Sequence, residues 1–200
     1  MKQFDKSFLK AETFLNIGRK PDFNNLLRVL NREKPGRPTL FEMFINNNAI
    51  DMFTAHLSYD ANDPLISEKK LIDGCMCMGY DFAMVRGPSF RFKTNRHRTE
   101  GKASISLNEG YVITDRESFD AYNWMEPEDA DYGWLSELSE YLPDGMKMLI
   151  PGPDGVFETV TALVGYDNLC LMLYDEPELV EDVFNAVGSR YLRYYKKCST

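Results

Sequence analysis

Positive charge is in short supply in this chain: 23 Lys and Arg stand against 31 Asp and Glu, a formal net charge of −8. That balance excludes a nucleic-acid partner, which needs a basic stripe or patch. Long apolar runs are missing as well. Nothing approaches the ~18 consecutive apolar residues of a membrane span. The N-terminal MKQFDKSFLK lacks the apolar centre of a secretion signal. Histidine is nearly absent, and His56 and His97 each stand alone, outside any metal-ligand spacing. Of the four cysteines, Cys75 and Cys77 are close together, while Cys170 and Cys198 are distant, and no second Cys/His pair accompanies the first. Buried reduced thiols are therefore expected there, and no metal site. Low-complexity tracts and internal repeats are absent too. What is left is an acidic cytoplasmic protein whose 200 residues, 44% of them hydrophobic, are enough for a single domain with a sizeable core.

The pattern along the chain is helix, glycine, strand. Residues 1–21 read as an N-terminal arm. Asp22 caps a helix through about Glu33 with Phe23, Leu26, Leu27 and Leu30 on one face. Lys34-Pro35-Gly36-Arg37-Pro38 stops it. Thr39 to Phe44 reads as a buried strand, Asn46 to Asn48 as the polar loop at its end, and Ile50 to Leu57 as a short helix. Ser67 caps the next helix and Gly79 ends it, with Tyr80 to Val85 following as a second strand. Residues 86–132 form a long excursion, basic at first, with a hairpin expected through Ser104 to Ile113 and a helix capped by Asp115. A helix over Tyr132 to Leu142 and a Pro143-Asp144-Gly145 turn lead to a third strand, Met146 to Ile150. Helices follow from Val156 to Val164, from Asp167 to Tyr174, and from Pro177 to about Lys197, the last with Leu179, Val183, Val187 and Leu192 as its apolar face. Alternating elements of this kind predict an α/β fold with parallel strands.

Three stretches resemble one known family. NREKPGRPTLFEMF resembles the opening of the uroporphyrinogen decarboxylase superfamily. CMGYDFAMV resembles that family's entry to its second strand, and GPDGVFETVTALVGYDNLCLMLYDEPELVEDVFNAVGSRYLRYY resembles the block after its third strand. The resemblance implies the N-terminal part of a (β/α)8 TIM barrel with a long excursion after the second strand. A complete barrel of this kind takes about 250 residues, so the chain is expected to be a fragment ending where a fourth strand is due. Two chemistries are implied: cofactor-free decarboxylation of a porphyrinogen, or methyl transfer involving corrinoid proteins, thiols and zinc. In the second case the zinc ligands, a His-x-Cys pair and a distant Cys, lie in the second half of the barrel, so zinc would be held only by residues beyond Thr200. No cofactor is visible within the chain itself.

Departures from the decarboxylase pattern favour the methyltransferase. Where the decarboxylases carry an arginine-rich stretch after the first strand, suited to clamping carboxylates, this chain has MFINNNAIDMF. Their aspartate at the end of the second strand is replaced by Arg86, with Asp81 at the strand's start, and Thr161 stands at the family's tyrosine position. Function in such a fold sits at the C-terminal ends of strands. Glu42 and Glu158 are accordingly the candidate catalytic acids or bases, and Asn46, Arg86, Gly152 and Gly155 the candidate substrate-binding residues. Each has a plainer reading. Glu42 would be a paired carboxylate, Arg86 a surface arginine, Glu158 a residue favouring its helix dipole, and the glycines a bend. The basic residues from Arg91 to Lys102 read as a solvated loop or as a site for propionate or phosphate groups. Trp124, Tyr132 and Trp134 read as packing or as the wall of a flat ligand. The implied partners are a small-molecule, tetrapyrrole or corrinoid substrate, a corrinoid protein, or further copies of the chain in a homo-oligomer. A third reading is an inactive or split half barrel that needs a second chain.

Overall fold

The computed structural model describes residues 19–95 and 106–199. The expected N-terminal arm lies almost wholly outside them, as do His97 and the strongest part of the basic stretch. The fold is mixed α/β and mostly helical. The chain divides into two compact units, Met1–Arg86 with Gly133–Pro151, and Gly87–Tyr132 with Gly152–Thr200. No single helix among the described residues is long and apolar enough to cross a membrane.

The first unit holds α1 (Asn24–Leu30), α2 (Asn47–Thr54), α3 (Ile66–Met78), β1 (Phe82–Met84), α5 (Gly133–Tyr141) and β2 (Lys147–Leu149). The strands are parallel, with Ala83 opposite Met148. Val85 extends the ladder by donating its N–H to the Leu149 carbonyl at 3.0 Å. Gly79 turns the chain from α3 into β1 at φ 87°, a left-handed conformation that costs glycine nothing. Ile72, Cys75, Ala83, Val85, Leu138 and Met146 form the centre of the core. At the N-terminal end of β1, the fully buried Asp81 accepts the Asp22 N–H at 2.8 Å and pairs with the Arg37 guanidinium. Asn25 is buried but satisfied. Its amide donates to the Asp22 carbonyl at 3.1 Å, and its Oδ1 accepts from Gly36 N–H at 3.0 Å. A second buried carboxylate, Asp73, accepts from the Tyr59 and Tyr141 hydroxyls at 2.8 and 2.7 Å. Burial first, and this carboxylate second, push the Tyr141 phenol up to about 12 and raise Tyr59 further.

Three expectations change in this unit. Thr39 to Phe44 forms no strand and bends at Met43, and Leu40, Phe41, Met43 and Phe44 are exposed. An apolar run needs a neighbouring strand to become one, and here Phe41 instead lays its ring 5.4 Å from Phe82. On α1 only Leu26 of the expected apolar face is buried, while Leu27 and Leu30 face out. Ser67 lies within α3, whose preceding residue is Leu65, and its hydroxyl donates to Glu68 Oε2 at 2.7 Å.

The second unit holds α4 (Arg116–Asp120), a single 3-10 turn (Pro127–Asp129), α6 (Val156–Val164), α7 (Tyr166–Asp175) and α8 (Pro177–Cys198). Asp115 caps α4 in a capping box with Ser118. Gly165, at φ 83°, bends the chain by 92° between α6 and α7, and a Cβ there would meet the Tyr111 ring at 2.7 Å. Val112 and Ile113 both donate N–H to the Leu163 carbonyl, at 2.8 and 2.9 Å. No strand forms over residues 106–113, so the expected hairpin is absent there. The core is built on the buried face of α8, where Tyr191 and Tyr194 replace the expected Leu192, which is exposed. Phe90 stacks on Tyr194 at 5.4 Å and Phe92 on Tyr191 at 5.9 Å. Tyr194 donates its hydroxyl to the Pro88 carbonyl at 3.0 Å. The described parts of residues 87–132 thus contribute to the core, with the Arg190 guanidinium stacked over Trp124 at 4.8 Å and bonded to Glu126. Although burial pushes the Glu126 carboxyl up, Arg193 and Arg190 outweigh it and hold the group below its ordinary range.

Candidate functional site

The parallel pair creates the site in the first unit. A cavity of 470 Å³ runs along β1, from Tyr80 and Phe82 to Met84, Val85 and Arg86, and meets Pro151, which follows β2, at the C-terminal end. Ligands of parallel α/β sheets bind at this end, where backbone groups and loop side chains converge. The walls are largely apolar: Met43, Phe44, Ile45, Ile50, Leu71 and Phe82. The polar groups are few: Arg86, Glu42, Glu68, Asn47, Ser67 and Tyr80. Apolar walls with a handful of oriented polar groups are the usual composition of a small-molecule site.

Arg86 is exposed, with its guanidinium 5.7 Å from the centre of the Phe44 ring. Stacking of this kind holds the planar cation in one orientation while leaving its N–H groups free to meet an anion. Glu42 is exposed on the cavity wall, in place of the inward-pointing carboxylate of a buried strand. Tyr80 faces the same cavity, its phenol raised by burial first and then by the charge of Glu42. It remains a protonated donor at neutral pH. Burial pushes the Cys75 thiol up to about 12, so it is an inert wall group and no nucleophile. Asn46 acts as the N-cap of α2, its side chain accepting the Asn48 N–H at 2.8 Å, and the next residue, Asn47, lines the cavity in its place. Asp81 is at the opposite end of β1 from Arg86, where its Oδ1 is held by Arg37 and the Asp22 amide and its Oδ2 is buried with no hydrogen-bond partner among the described residues.

The remaining candidates belong to the second unit. Gly155 precedes α6, and Glu158 folds back over it, so that a Cβ on Gly155 would lie 2.0 Å from the carboxylate. The helix N-terminus is therefore faced by its own side chain, an arrangement its dipole favours. Gly152 makes room for Tyr195, whose hydroxyl would be 1.6 Å from a Cβ there. Glu158 also borders a 350 Å³ pocket with Arg91, Asp154 and the buried Thr159–Tyr191 hydroxyl pair, 2.5 Å apart. Thr161 is buried and donates to the Phe157 carbonyl at 2.8 Å, which leaves it no outward role. Trp124 packs among Phe92, Phe119 and Tyr122, Tyr132 lies 6.0 Å from Tyr194, and Trp134 packs in the core of the first unit.

No family model, no curated protein and no solved structure matches the chain. Among the described residues no three His, Cys, Asp or Glu side chains come together as metal ligands, and the Cys75 and Cys77 thiols are held protonated by burial. Of the residues that strand ends in the sequence single out, Glu42, Phe44 and Arg86 line this cavity; Tyr80 and Glu68 line it as well and were not singled out. Tyr80 was legible as the residue just past the Gly79 helix stop, but Glu68 sits in the first turn of α3, where acidic residues are ordinary.

Proposed function

We propose that this chain is the N-terminal part of a uroporphyrinogen decarboxylase-superfamily enzyme, and that its chemistry is corrinoid-linked one-carbon methyl transfer in preference to decarboxylation. In this reading β1 and β2 are the second and third strands of a (β/α)8 barrel. Their parallel pairing and the helix that precedes each one support that reading. One observation supports the choice of chemistry: among the described residues the cavity is lined by one arginine, Arg86, and by largely apolar walls. A porphyrinogen bears many carboxylates and calls for several guanidinium groups. The segment expected to supply them, Met43 to Phe53, has no arginine, and Asp81 pairs with Arg37 at the far end of β1.

The chain's own residues have limited but definite parts. Arg86, steadied by Phe44, holds an anionic substituent. Tyr80 donates a hydrogen bond, and Met43, Met84 and Phe82 keep water from one face of the ligand. The test is to supply the natural gene product with methylcobalamin and a thiol, and separately with uroporphyrinogen. Loss of the methylcobalamin absorbance with formation of the methyl thioether is expected, and no change in the porphyrinogen's carboxylate number by chromatography. Stepwise loss of carboxylates would overturn the reading.

A second reading, a half barrel completed by another chain, is favoured by the exposed Leu40, Phe41, Met43 and Phe44 beside the short strand pair. Under it neither assay responds until the completing chain is added.

A further inference from the structure

Helix α7 is apolar on two sides. Leu169 and Met172 are buried in the core of the second unit. Tyr166, Cys170, Leu173 and Tyr174, spaced i, i+4, i+7 and i+8, are all exposed. That spacing forms one stripe along a helix. Leu171 lies beside it, and Tyr174, Leu171 and Leu173 are 90%, 64% and 58% exposed. A helix with a buried inner face ordinarily carries polar residues on its outer one. A continuous outward apolar stripe marks a surface that meets something. The surface extends beyond the helix. Tyr166 donates its N–H to the Leu107 carbonyl at 3.4 Å and Asp167 donates to Asn108 Oδ1 at 2.8 Å, fixing the 107–111 turn, with its exposed Leu107 and Tyr111, against the start of α7.

The charges around the stripe select what covers it. Between Tyr166 and Ser189 the sequence carries Asp167, Asp175, Glu176, Glu178, Glu181 and Asp182 and not one Lys or Arg. Asp182 pairs with Arg116 at 2.7 Å, and the other five are exposed. Two copies meeting through this face would bring the carboxylates at its ends together, and like charges across an interface are costly. An anionic membrane surface is disfavoured for the same reason. The complement is an apolar stripe with a cationic border. We propose that the outer face of α7 docks an amphipathic helix of a partner protein, one whose apolar stripe is flanked by Lys and Arg. A single helix of 10 residues presents a stripe only ~15 Å long, which places the contact among weak, transient interfaces.

The experiment titrates three labelled synthetic peptides into the full chain by fluorescence anisotropy at physiological salt. The first is a Leu/Lys helix with one continuous leucine stripe, the second its scrambled isomer, and the third a striped Leu/Glu helix. The striped cationic peptide is expected to bind at least about tenfold tighter than its isomer, and the Leu/Glu helix not at all. The double variant Leu173→Ser/Tyr174→Ser should abolish that preference, whereas Leu192→Ser, an exposed leucine on α8, should leave it intact. If circular dichroism finds the double variant less folded, Tyr174→Ser alone carries the test. Equal binding of both cationic peptides would overturn the proposal, as would binding of the Leu/Glu helix or indifference to the variants. So would concentration-dependent dimerisation, or adsorption to phosphatidylcholine vesicles, that the double variant abolishes.

Discussion

The two units solve the same problem, closing a core, by different means. In the second, rings close it. Phe90, Phe92, Tyr191 and Tyr194 stack and interlock, and ion pairs from Arg190 and Arg193 tie the 124–128 segment to α8. In the first, two buried carboxylates do much of the fastening, Asp81 to Arg37 and Asp73 to two tyrosines, around a strand pair three residues long. Aromatic area is forgiving, since each ring keeps most of its contacts when a neighbour changes. A buried carboxylate is not, because removing its partner leaves an uncompensated charge. The first unit is therefore the more easily broken of the two, and it is the one that holds the cavity.

The largest expected effect is on Arg37→Ala, which strands the buried Asp81 and should cost about 3–5 kcal/mol. Each unit has its own tryptophan, Trp134 in the first and Trp124 in the second, so urea unfolding can be followed separately in Trp124→Phe and Trp134→Phe backgrounds. The Trp134 transition should move to lower urea well ahead of the Trp124 transition. Identical shifts in both would erase the distinction between the units. Tyr194→Phe should cost less, about 1–2 kcal/mol, by leaving the Pro88 carbonyl without its donor, and here the Trp124 transition should move first. The smallest effect is a titration. The Tyr141 and Tyr59 phenols are raised in the folded state, so the stability they contribute is fully present below pH 10 and is lost as pH rises through about 12 for Tyr141 and at still higher pH for Tyr59. Asp73→Asn should bring these ionisations part of the way back in a titration at 295 nm, because burial, the larger cause, stays. An unchanged curve would mean that Asp73 does not hold these phenols.

Helix boundaries were legible where glycine or proline punctuates the chain. Gly155 and Gly165 bracket α6, Gly79 ends α3, and Pro177 opens α8. Strands were less so, because their extent depends on a partner that lies far along the sequence. Phe82–Met84 and Lys147–Leu149 are shorter than the apolar runs around them, and Thr39 to Phe44 pairs with nothing described. The core of the 87–132 segment was hidden for the same reason. Phe90 and Pro88 meet Tyr194 from the other end of the chain, and no local periodicity announces such a contact. At the site, Arg86 was readable from its place after a strand. The capping by Asn46 was not separable from a binding role, since the same short amide suits both.

The most direct test of the central claim is the affinity of the strand-end cavity for methylcobalamin and for uroporphyrin, measured by equilibrium dialysis on the wild type and on Arg86→Gln. The account predicts that the corrinoid binds the tighter of the two, and that Arg86→Gln, losing one charge-assisted hydrogen bond of about 1.5–3 kcal/mol, weakens it by about tenfold or more. Tighter binding of uroporphyrin, or corrinoid binding indifferent to Arg86, would contradict it.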